Sequence, residues 1–113
     1  MKIYYINVDI ETFGAITSEN IVFYHDKVGE VSTNSLAYRA IVSLVEISGE
    51  GPFSDSVVRA KLIYPNGDAV FIGRDGGIRQ LSGDSKLNTR ERNKLKGILR
   101  RATQNRTDFP RRR

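Results

Sequence analysis

Cysteine and tryptophan are absent from this chain of 113 residues, and histidine and methionine each occur once. Without cysteine, the chain has neither disulfide bonds nor thiolate ligands for zinc. Its one histidine, His25, lacks a second histidine or a cysteine with which to form a metal site or a catalytic triad. No apolar run approaches the roughly 20 residues that span a bilayer, and the polar first residues do not resemble a signal peptide. These absences favour a cytoplasmic protein without thiol or zinc chemistry.

Charge is distributed unevenly along the chain. Residues 1–85 carry seven Lys or Arg against eleven Asp or Glu, a net charge of −4, whereas residues 86–113 carry eleven against two, a net charge of +9. A dense basic segment attached to a mildly acidic body is typical of proteins that bind a polyanion, most simply nucleic acid. The alternatives are a helix face that is merely solvated and a basic surface that docks on an acidic protein.

Apolar periodicity and turn residues predict five strands and two helices. The strands are expected at residues 2–10, 21–25, 57–64, 69–72 and 78–81, and the helices at residues 36–47 and 90–103. Good N-cap residues precede both helices, and Asn66-Gly67 predicts a tight hairpin turn. Residues 26–30 are expected to be a loop or a strand end, and residues 82–86 a loop.

The predicted order of elements favours an α+β fold. A single domain, residues 1–104, would hold one mostly antiparallel sheet, with the amphipathic helix at residues 36–47 packed on one face and the basic helix at residues 90–103 near its C-terminus. Residues 105–113 include Pro110, show no apolar periodicity and end in three arginines. We expect this basic tail to be disordered when it is unbound.

The basic residues of the second helix and of the tail are the predicted nucleic-acid-binding residues. Lys and Arg neutralise phosphates and release counterions, which gives affinity without reading the base sequence. Arg also forms bidentate hydrogen bonds with phosphate oxygens and stacks on bases. The pattern does not distinguish RNA from DNA or single from double strands. The predicted contacts are Lys86, Arg90, Arg92, Lys94, Lys96, Arg100, Arg101, Arg106, Arg111, Arg112 and Arg113.

Two pairs of adjacent aromatic residues, Tyr4-Tyr5 and Phe23-Tyr24, fall in predicted strands. Strand alternation directs one member of each pair outward on the sheet. An outward ring beside basic residues is able to stack on a base, as in proteins that bind single strands. Core packing and cross-strand pairing are the alternative roles for these rings.

Asp9 and Glu11 lie two residues apart in the first predicted strand, so their carboxylates are expected on one face, where they would chelate one Mg²⁺ or Mn²⁺. Residues 8–14 (VDIETFG) resemble the first motif of DEDD-type 3′–5′ exonucleases, which belong to the ribonuclease H-like superfamily. Residues 32–41 (STNSLAYRAI) are similar to the start of the first helix of ribonuclease HI proteins. The order of that family is strand, strand, strand, helix, strand, and it is matched over residues 1–64 when the loop or strand end at residues 26–30 is counted with the predicted strands.

This resemblance implies phosphodiester hydrolysis by two metal ions, with Asp9 and Glu11 as metal ligands. Ribonuclease HI carries a glutamate between the alanine and the tyrosine of its helix motif, whereas Ala37 is followed directly by Tyr38 in this chain. An incomplete carboxylate set implies a degenerate relative. The sequence therefore favours a protein without catalytic residues or cofactors, and Mg²⁺ is the expected cofactor of the alternative, an active nuclease.

Three functions follow from these patterns. The first is a non-enzymatic domain that binds nucleic acid through the basic helix and the Arg-rich tail. The second is an inhibitor or adaptor that presents a sheet edge or the basic helix to an acidic partner protein. The third is a metal-dependent nuclease of the ribonuclease H-like type.

Overall fold

The computed structural model of the chain describes residues 1–6 and 14–105. The strands are β1 (Lys2–Tyr5), β2 (Lys27–Glu30), β3 (Val58–Ile63), β4 (Ala69–Gly73), β5 (Gly77–Gln80), β6 (Gly83–Lys86) and β7 (Gln104–Asn105), and the helices are α1 (Ile21–Tyr24), α2 (Leu36–Ile47) and α3 (Thr89–Ala102). The strands form one sheet in the order β6-β5-β4-β3-β1-β2-β7, in which every pair of neighbouring strands is antiparallel. The predicted α+β class, with an amphipathic helix packed on one face of a mostly antiparallel sheet, is confirmed.

Strand alternation divides the side chains of the sheet between two faces. On β1, Ile3 and Tyr5 are buried on one face, while Lys2 and Tyr4 lie on the other. Both α2 and α3 pack on the face of Ile3 and Tyr5, which we call the helix-covered face; its opposite is the open face. The core between the helices and the sheet contains Ile3, Tyr5, Ile41, Leu44, Val45, Ala60, Leu62, Val70, Ile72, Ile78, Leu95, Ile98 and Leu99.

Among the described residues, the cover on the open face lies at one end. A second, smaller core forms there from Ile6, Ile16, Ile21, Phe53 and Val58. Phe71 packs against this second core from the sheet, whereas its chain neighbours on β4 belong to the main core. Within residues 1–6 and 14–105, the segment that includes α1 therefore shields part of the open face, and no described helix packs on the remainder.

Local capping explains where the two long helices begin. The side chain of Ser35 accepts a hydrogen bond from Tyr38 N at 3.1 Å at the start of α2. At the start of α3, Asn88 Oδ1 accepts a hydrogen bond from Glu91 N at 2.8 Å, and the Glu91 carboxylate accepts one from Asn88 N at 3.0 Å. This reciprocal capping box satisfies two backbone donors that a helix leaves unpaired. Both helices begin within one residue of their predicted positions.

The predicted hairpin at Asn66-Gly67 joins β3 to β4. Tyr64 O accepts a hydrogen bond from Gly67 N at 2.9 Å, and Tyr64 N donates one to Asp68 O at 2.9 Å. Gly67 has a φ of +95°, which only glycine adopts without strain. A β-bulge interrupts β3 between Val58 and Ala60, and it bears on the position of Arg59 described below.

Residues 21–25, predicted as a strand, instead form the single-turn helix α1 and the residue that follows it. Their β-branched and aromatic residues favour a strand by propensity, but the preceding turn decides the backbone. Thr17 Oγ1 accepts hydrogen bonds from two backbone N–H groups of this turn at 3.2 Å each, and Asn20 Oδ1 accepts one from Thr17 N at 2.7 Å. The helical turn that follows buries Ile21 completely. The described part of residues 1–64 therefore has the order strand, helix, strand, helix, strand, and the prediction of a strand at residues 21–25 is wrong.

The prediction of a loop at residues 82–86 is also wrong, because Gly83–Lys86 form β6. Arg79 on β5 lies opposite Asp84 on β6, and its Nε and Nη2 donate hydrogen bonds to the two carboxylate oxygens at 3.0 Å each. The four residues of β6 are polar or glycine, so they carry no apolar alternation from which a strand is predicted. Residues 27–30, predicted as a loop or a strand end, form β2.

β7 lies at the predicted boundary between domain and tail. Gln104 pairs with Val28 and Asn105 with Lys27, so β7 covers the outer edge of β2. Asn105 Oδ1 also accepts a hydrogen bond from Lys27 Nζ at 2.9 Å. Residues 106–113 lie outside the described residues, and the disorder that we expect of the tail stays a prediction.

Candidate nucleic-acid interface

The basic residues of α3 differ in how far the fold buries them. Leu95, Ile98 and Leu99 form the stripe that packs on the sheet, and at 3.6 residues per turn the opposite side of the helix is left to polar side chains. Four basic residues on that side are exposed, and we call them the α3 basic set. They are Arg90, Lys94, Arg100 and Arg101.

The α3 basic set is not neutralised within residues 1–6 and 14–105. The only acid in the α3 sequence is Glu91, whose carboxylate accepts the hydrogen bond of the capping box. The ion pairs found among the described residues all involve Arg79 or Lys86, and none includes a member of the set. The four charges are therefore open to an external anion.

Arg92 and Lys96, also predicted as phosphate contacts, are half-buried. Arg92 Nε donates a hydrogen bond to Arg74 O at 2.7 Å, and its Nη1 donates one to Asn93 Oδ1 at 2.6 Å. The Arg92 side chain thus fastens α3 to the turn between β4 and β5. Lys96 lines a narrow cavity between α3 and the sheet. The structure gives both residues a packing role that the spacing of charges along the helix did not indicate.

Lys86, the first of the predicted contacts, is the last residue of β6 and not part of α3. Its backbone N–H and C=O pair with Gly49 at 2.8 and 3.2 Å. Its Nζ lies 3.7 Å from Asp75 Oδ2, so a carboxylate already accompanies the ammonium group. Lys86 therefore differs from the α3 basic set in two ways: it lies on β6, and a carboxylate accompanies its charge.

Six predicted site residues lie outside the described residues and stay predictions. They are the tail residues Arg106, Arg111, Arg112 and Arg113 and the metal ligands Asp9 and Glu11. Within the ranges that are described, no group of three or more His, Asp or Glu side chains is arranged to hold a metal ion. The last described residue, Asn105, lies on the edge of the sheet beside Lys27.

Arg59 is a buried cation that sequence reasoning missed. Arg59 is 3% exposed, and its Nη1 donates a hydrogen bond to Val58 O at 3.0 Å, while its Nε has no hydrogen-bond partner among residues 1–6 and 14–105. Burial, and secondarily the positive charge of Arg74, lowers the pKa of Arg59. Simple alternation places Arg59 with Lys61 on one face, but the bulge at Val58 shifts the register of the strand there.

The part of the open face beside the second core combines aromatic rings with lysines. Tyr4 on β1 pairs with Lys61 on β3, and Lys61 pairs in turn with Phe71 on β4, so the three side chains form a row across adjacent strands. Lys2 Nζ lies 5.2 Å from the centroid of the Tyr4 ring, and Lys61 Nζ lies 5.5 Å from that of Phe71. We call Lys2, Tyr4, Lys61 and Phe71 the aromatic-lysine row. Of these, only Tyr4 was singled out from the sequence.

The predicted alternation of the aromatic pairs holds for one pair and fails for the other. Tyr5 is buried while Tyr4 faces outward, as expected of a strand. Phe23 and Tyr24 are both exposed, at 71% and 50%, because they lie on α1 and not on a strand. Their rings meet edge to face at 4.9 Å between centroids. His25 is buried: its Nδ1 lies 2.6 Å from Val22 O, and its ring meets that of Tyr4 edge to face at 4.7 Å.

A shallow groove separates α2 from α3 on the helix-covered side. Leu36, Ala37 and Ala40 line it from α2, and Ile98 lines it from α3, with Lys94 and Arg101 of the α3 basic set beside them. One carboxylate, that of Glu30 at the end of β2, also lines the groove. Leu36 is 80% exposed, an unusual position for a large aliphatic side chain at the start of a helix. In this groove, two members of the α3 basic set adjoin apolar side chains of α2.

Comparison of the chain with protein-family models, with curated proteins and with solved structures gives no match. Among the described residues, no helix has the length and apolar character needed to cross a membrane.

Proposed function

We propose that the protein is a non-enzymatic nucleic-acid-binding domain in which α3 contacts the phosphate backbone. The observation that carries this proposal is the α3 basic set: four exposed cations on one rigid helix without an ion-pair partner in the described part of the chain. A like-charged cluster repels itself and weakens the free protein slightly, so its presence is best explained by an anionic partner.

The α3 basic set suits a repeating polyanion better than one small anion. Arg90 and Arg101 lie eleven residues apart, which corresponds to about 16 Å along a helix at 1.5 Å per residue. That length exceeds the dimensions of a single phosphate, whereas a nucleic-acid backbone presents phosphates at regular intervals. Helix residues that neutralise phosphates give affinity that depends on salt and not on base sequence.

The test is a salt titration of binding to a fluorescein-labelled DNA duplex between 50 and 300 mM salt. Replacing all four residues of the α3 basic set by Gln keeps a good helix former at each position and removes four charges. If each residue contacts one phosphate, the slope of log K against log salt becomes shallower by about 3 to 4 units. Arg39 on α2 is also exposed, so Arg39→Gln is the matched control. We expect it to change the slope by less than the average change per residue in the fourfold variant. An unchanged slope and affinity in the fourfold variant would overturn the proposal.

A second candidate function, docking on an acidic protein, is favoured by the groove between α2 and α3. An acidic amphipathic helix would place its apolar residues on Leu36 and Ile98 and its carboxylates beside Lys94 and Arg101. Leu36→Ser separates the two functions, because it removes the apolar contact and leaves every charge in place. The measurement is capture of protein partners after nuclease treatment. If Leu36→Ser loses a partner that the unmodified chain captures, while DNA binding is unchanged, the second function is supported over the first.

A further inference from the structure

The aromatic-lysine row on the open face offers a second surface with a different chemistry from α3. Its rings are held from the side: Tyr4 by the edge contact with His25, and Phe71 by the second core. Each ring is nevertheless only partly covered. A ring that is fixed in place before binding loses little conformational freedom when a flat ligand stacks on it.

The lysines of the row add charge complementarity to this stacking surface. Lys2 and Lys61 form no ion pair with any residue in the ranges 1–6 and 14–105. Each ammonium group lies within 6 Å of a ring centroid, so a cation accompanies each aromatic ring of the row. A ligand that repeats a flat ring and an anion at short intervals fits this alternation, and a single-stranded nucleic acid is such a ligand.

The position of the row relative to α3 also favours a strand-like ligand. An added side chain at Gly29 on β2 would lie 2.0 Å from Ala102 O, so the last turn of α3 rests directly on β2. β2 is the neighbour of β1, which carries Lys2 and Tyr4. Neighbouring strands are about 4.8 Å apart. The C-terminal end of α3 and the aromatic-lysine row are thus joined by the short sheet edge formed by β2 and β7.

We propose that the open face stacks unpaired bases on Tyr4 and Phe71 while α3 holds the phosphates of the same single-stranded nucleic acid. This inference rests on the proposed function and narrows its ligand to single strands. A duplex keeps the faces of its bases inside the stack, so it gains nothing from the aromatic rings. A single strand that crosses the β2–β7 edge contacts both surfaces.

The test compares three fluorescein-labelled probes of equal length: oligodeoxythymidylate, an abasic deoxyribose-phosphate chain and a DNA duplex. Tyr4→Leu and Phe71→Leu remove the rings and keep apolar side chains, whereas Tyr4→Phe and Phe71→Tyr keep the rings as matched controls. We expect each Leu variant to lose about fivefold to a hundredfold in affinity for oligodeoxythymidylate. Affinity for the abasic chain and the duplex stays within about twofold, and the ring-preserving variants bind all three probes like the unmodified chain.

A second measurement on the unmodified chain guards against variants that fold poorly. Stacking of a base moves the ring proton resonances of Tyr4 and Phe71 upfield when oligodeoxythymidylate is added, and the abasic chain leaves them in place. Wild-type affinity of both Leu variants, together with unmoved ring resonances, would overturn the inference while the α3 proposal stands. Failure of all three probes to bind at 50 mM salt would remove the α3 proposal and this inference with it.

Discussion

The two faces of the sheet are built from the same strands and yet differ completely in chemistry. On β3 and β4 the helix-covered face receives Ala60, Leu62, Val70 and Ile72, all buried aliphatic residues. The intervening positions give the open face lysine, isoleucine, alanine and phenylalanine, all of intermediate exposure. The period of two along a strand thus allows one sequence to specify a core on one side and a polar, aromatic surface on the other.

Burial and charge therefore differ between the two sides of each strand, as well as between residues 1–85 and residues 86–113. The uneven charge between residues 1–85 and 86–113 is visible in the sequence, but the lysines of the aromatic-lysine row belong to the acidic body and are hidden in its net charge. A regional average of charge therefore underestimates the basic surface that the fold assembles.

The sharpest test of the contrast is a pair of substitutions at adjacent positions of β3. Leu62 is fully buried under the helices, whereas Ile63 lies on the open face. We expect Leu62→Ala to lower the free energy of unfolding by about 2–5 kcal/mol through lost burial and a residual cavity. Ile63→Ala should cost about 1 kcal/mol, the scale of strand propensity. Chemical denaturation measures both, and equal costs would contradict the assignment of the two faces.

A second test concerns the contact between α3 and β2. A methyl group at Gly29 would lie 2.0 Å from Ala102 O and 3.0 Å from Thr103 Cα, both backbone atoms. The end of α3 must therefore move in Gly29→Ala, and we expect overpacking to cost about 1–3 kcal/mol. Gly49→Ala is the control, because a methyl group there meets no atom of the described residues within 4 Å. If both variants unfold at the same denaturant concentration, the close contact does not exist in solution.

The smallest expected effect is a dependence of stability on pH from Tyr64, at the end of β3 beside α2. Burial, then Tyr38, whose ring lies edge to face at 6.4 Å, and then Glu46 raise the pKa of Tyr64 above its usual value of about 10. The unfolded chain thus releases the Tyr64 proton at lower pH than the folded one. The contribution of Tyr64 is complete below about pH 10 and declines as the pH rises toward the raised folded pKa.

Tyr64→Phe isolates this titration from that of the lysines. Denaturation between pH 8 and pH 11 should show the unmodified chain losing stability relative to Tyr64→Phe as the pH rises. A constant difference between the two proteins over this interval would mean that the hydroxyl of Tyr64 is in solvent, and that the helix-covered face ends before this residue.

The sequence is informative where one strong local signal agrees with tertiary packing. α2 and α3 have helical periodicity and N-cap residues, and the β3–β4 hairpin has the Asn66-Gly67 turn, so all three are predicted correctly. The prediction fails where the hydrogen bonds of a preceding turn and the burial of Ile21 override strand propensity, as in α1, or where a strand is polar, as in β6. The two described residues of β7 follow α3 directly and pair with the edge of β2, an arrangement that no local pattern predicts.

The candidate surfaces, too, are predicted from the sequence only where a local pattern specifies them. Exposure of Arg90, Lys94, Arg100 and Arg101 follows from helical periodicity, but the anchoring of Arg92 to Arg74 O depends on a turn eighteen residues away. The aromatic-lysine row joins residues of β1, β3 and β4 that are distant in the chain, and only the register of the strands brings them together. Such a row has no local signature.

The two outermost strands of the sheet have a consequence for self-association. β6 has the sequence Gly-Asp-Ser-Lys and β7 has Gln-Asn, so both edges are short and polar. Unpaired backbone groups on long apolar edges are the usual starting point for sheet-to-sheet polymerisation. Here the longer and more apolar strands β3 and β4 are enclosed by neighbours on both sides. Within the described residues, the sheet therefore ends at both margins in a short polar strand, which offers a growing sheet no apolar edge.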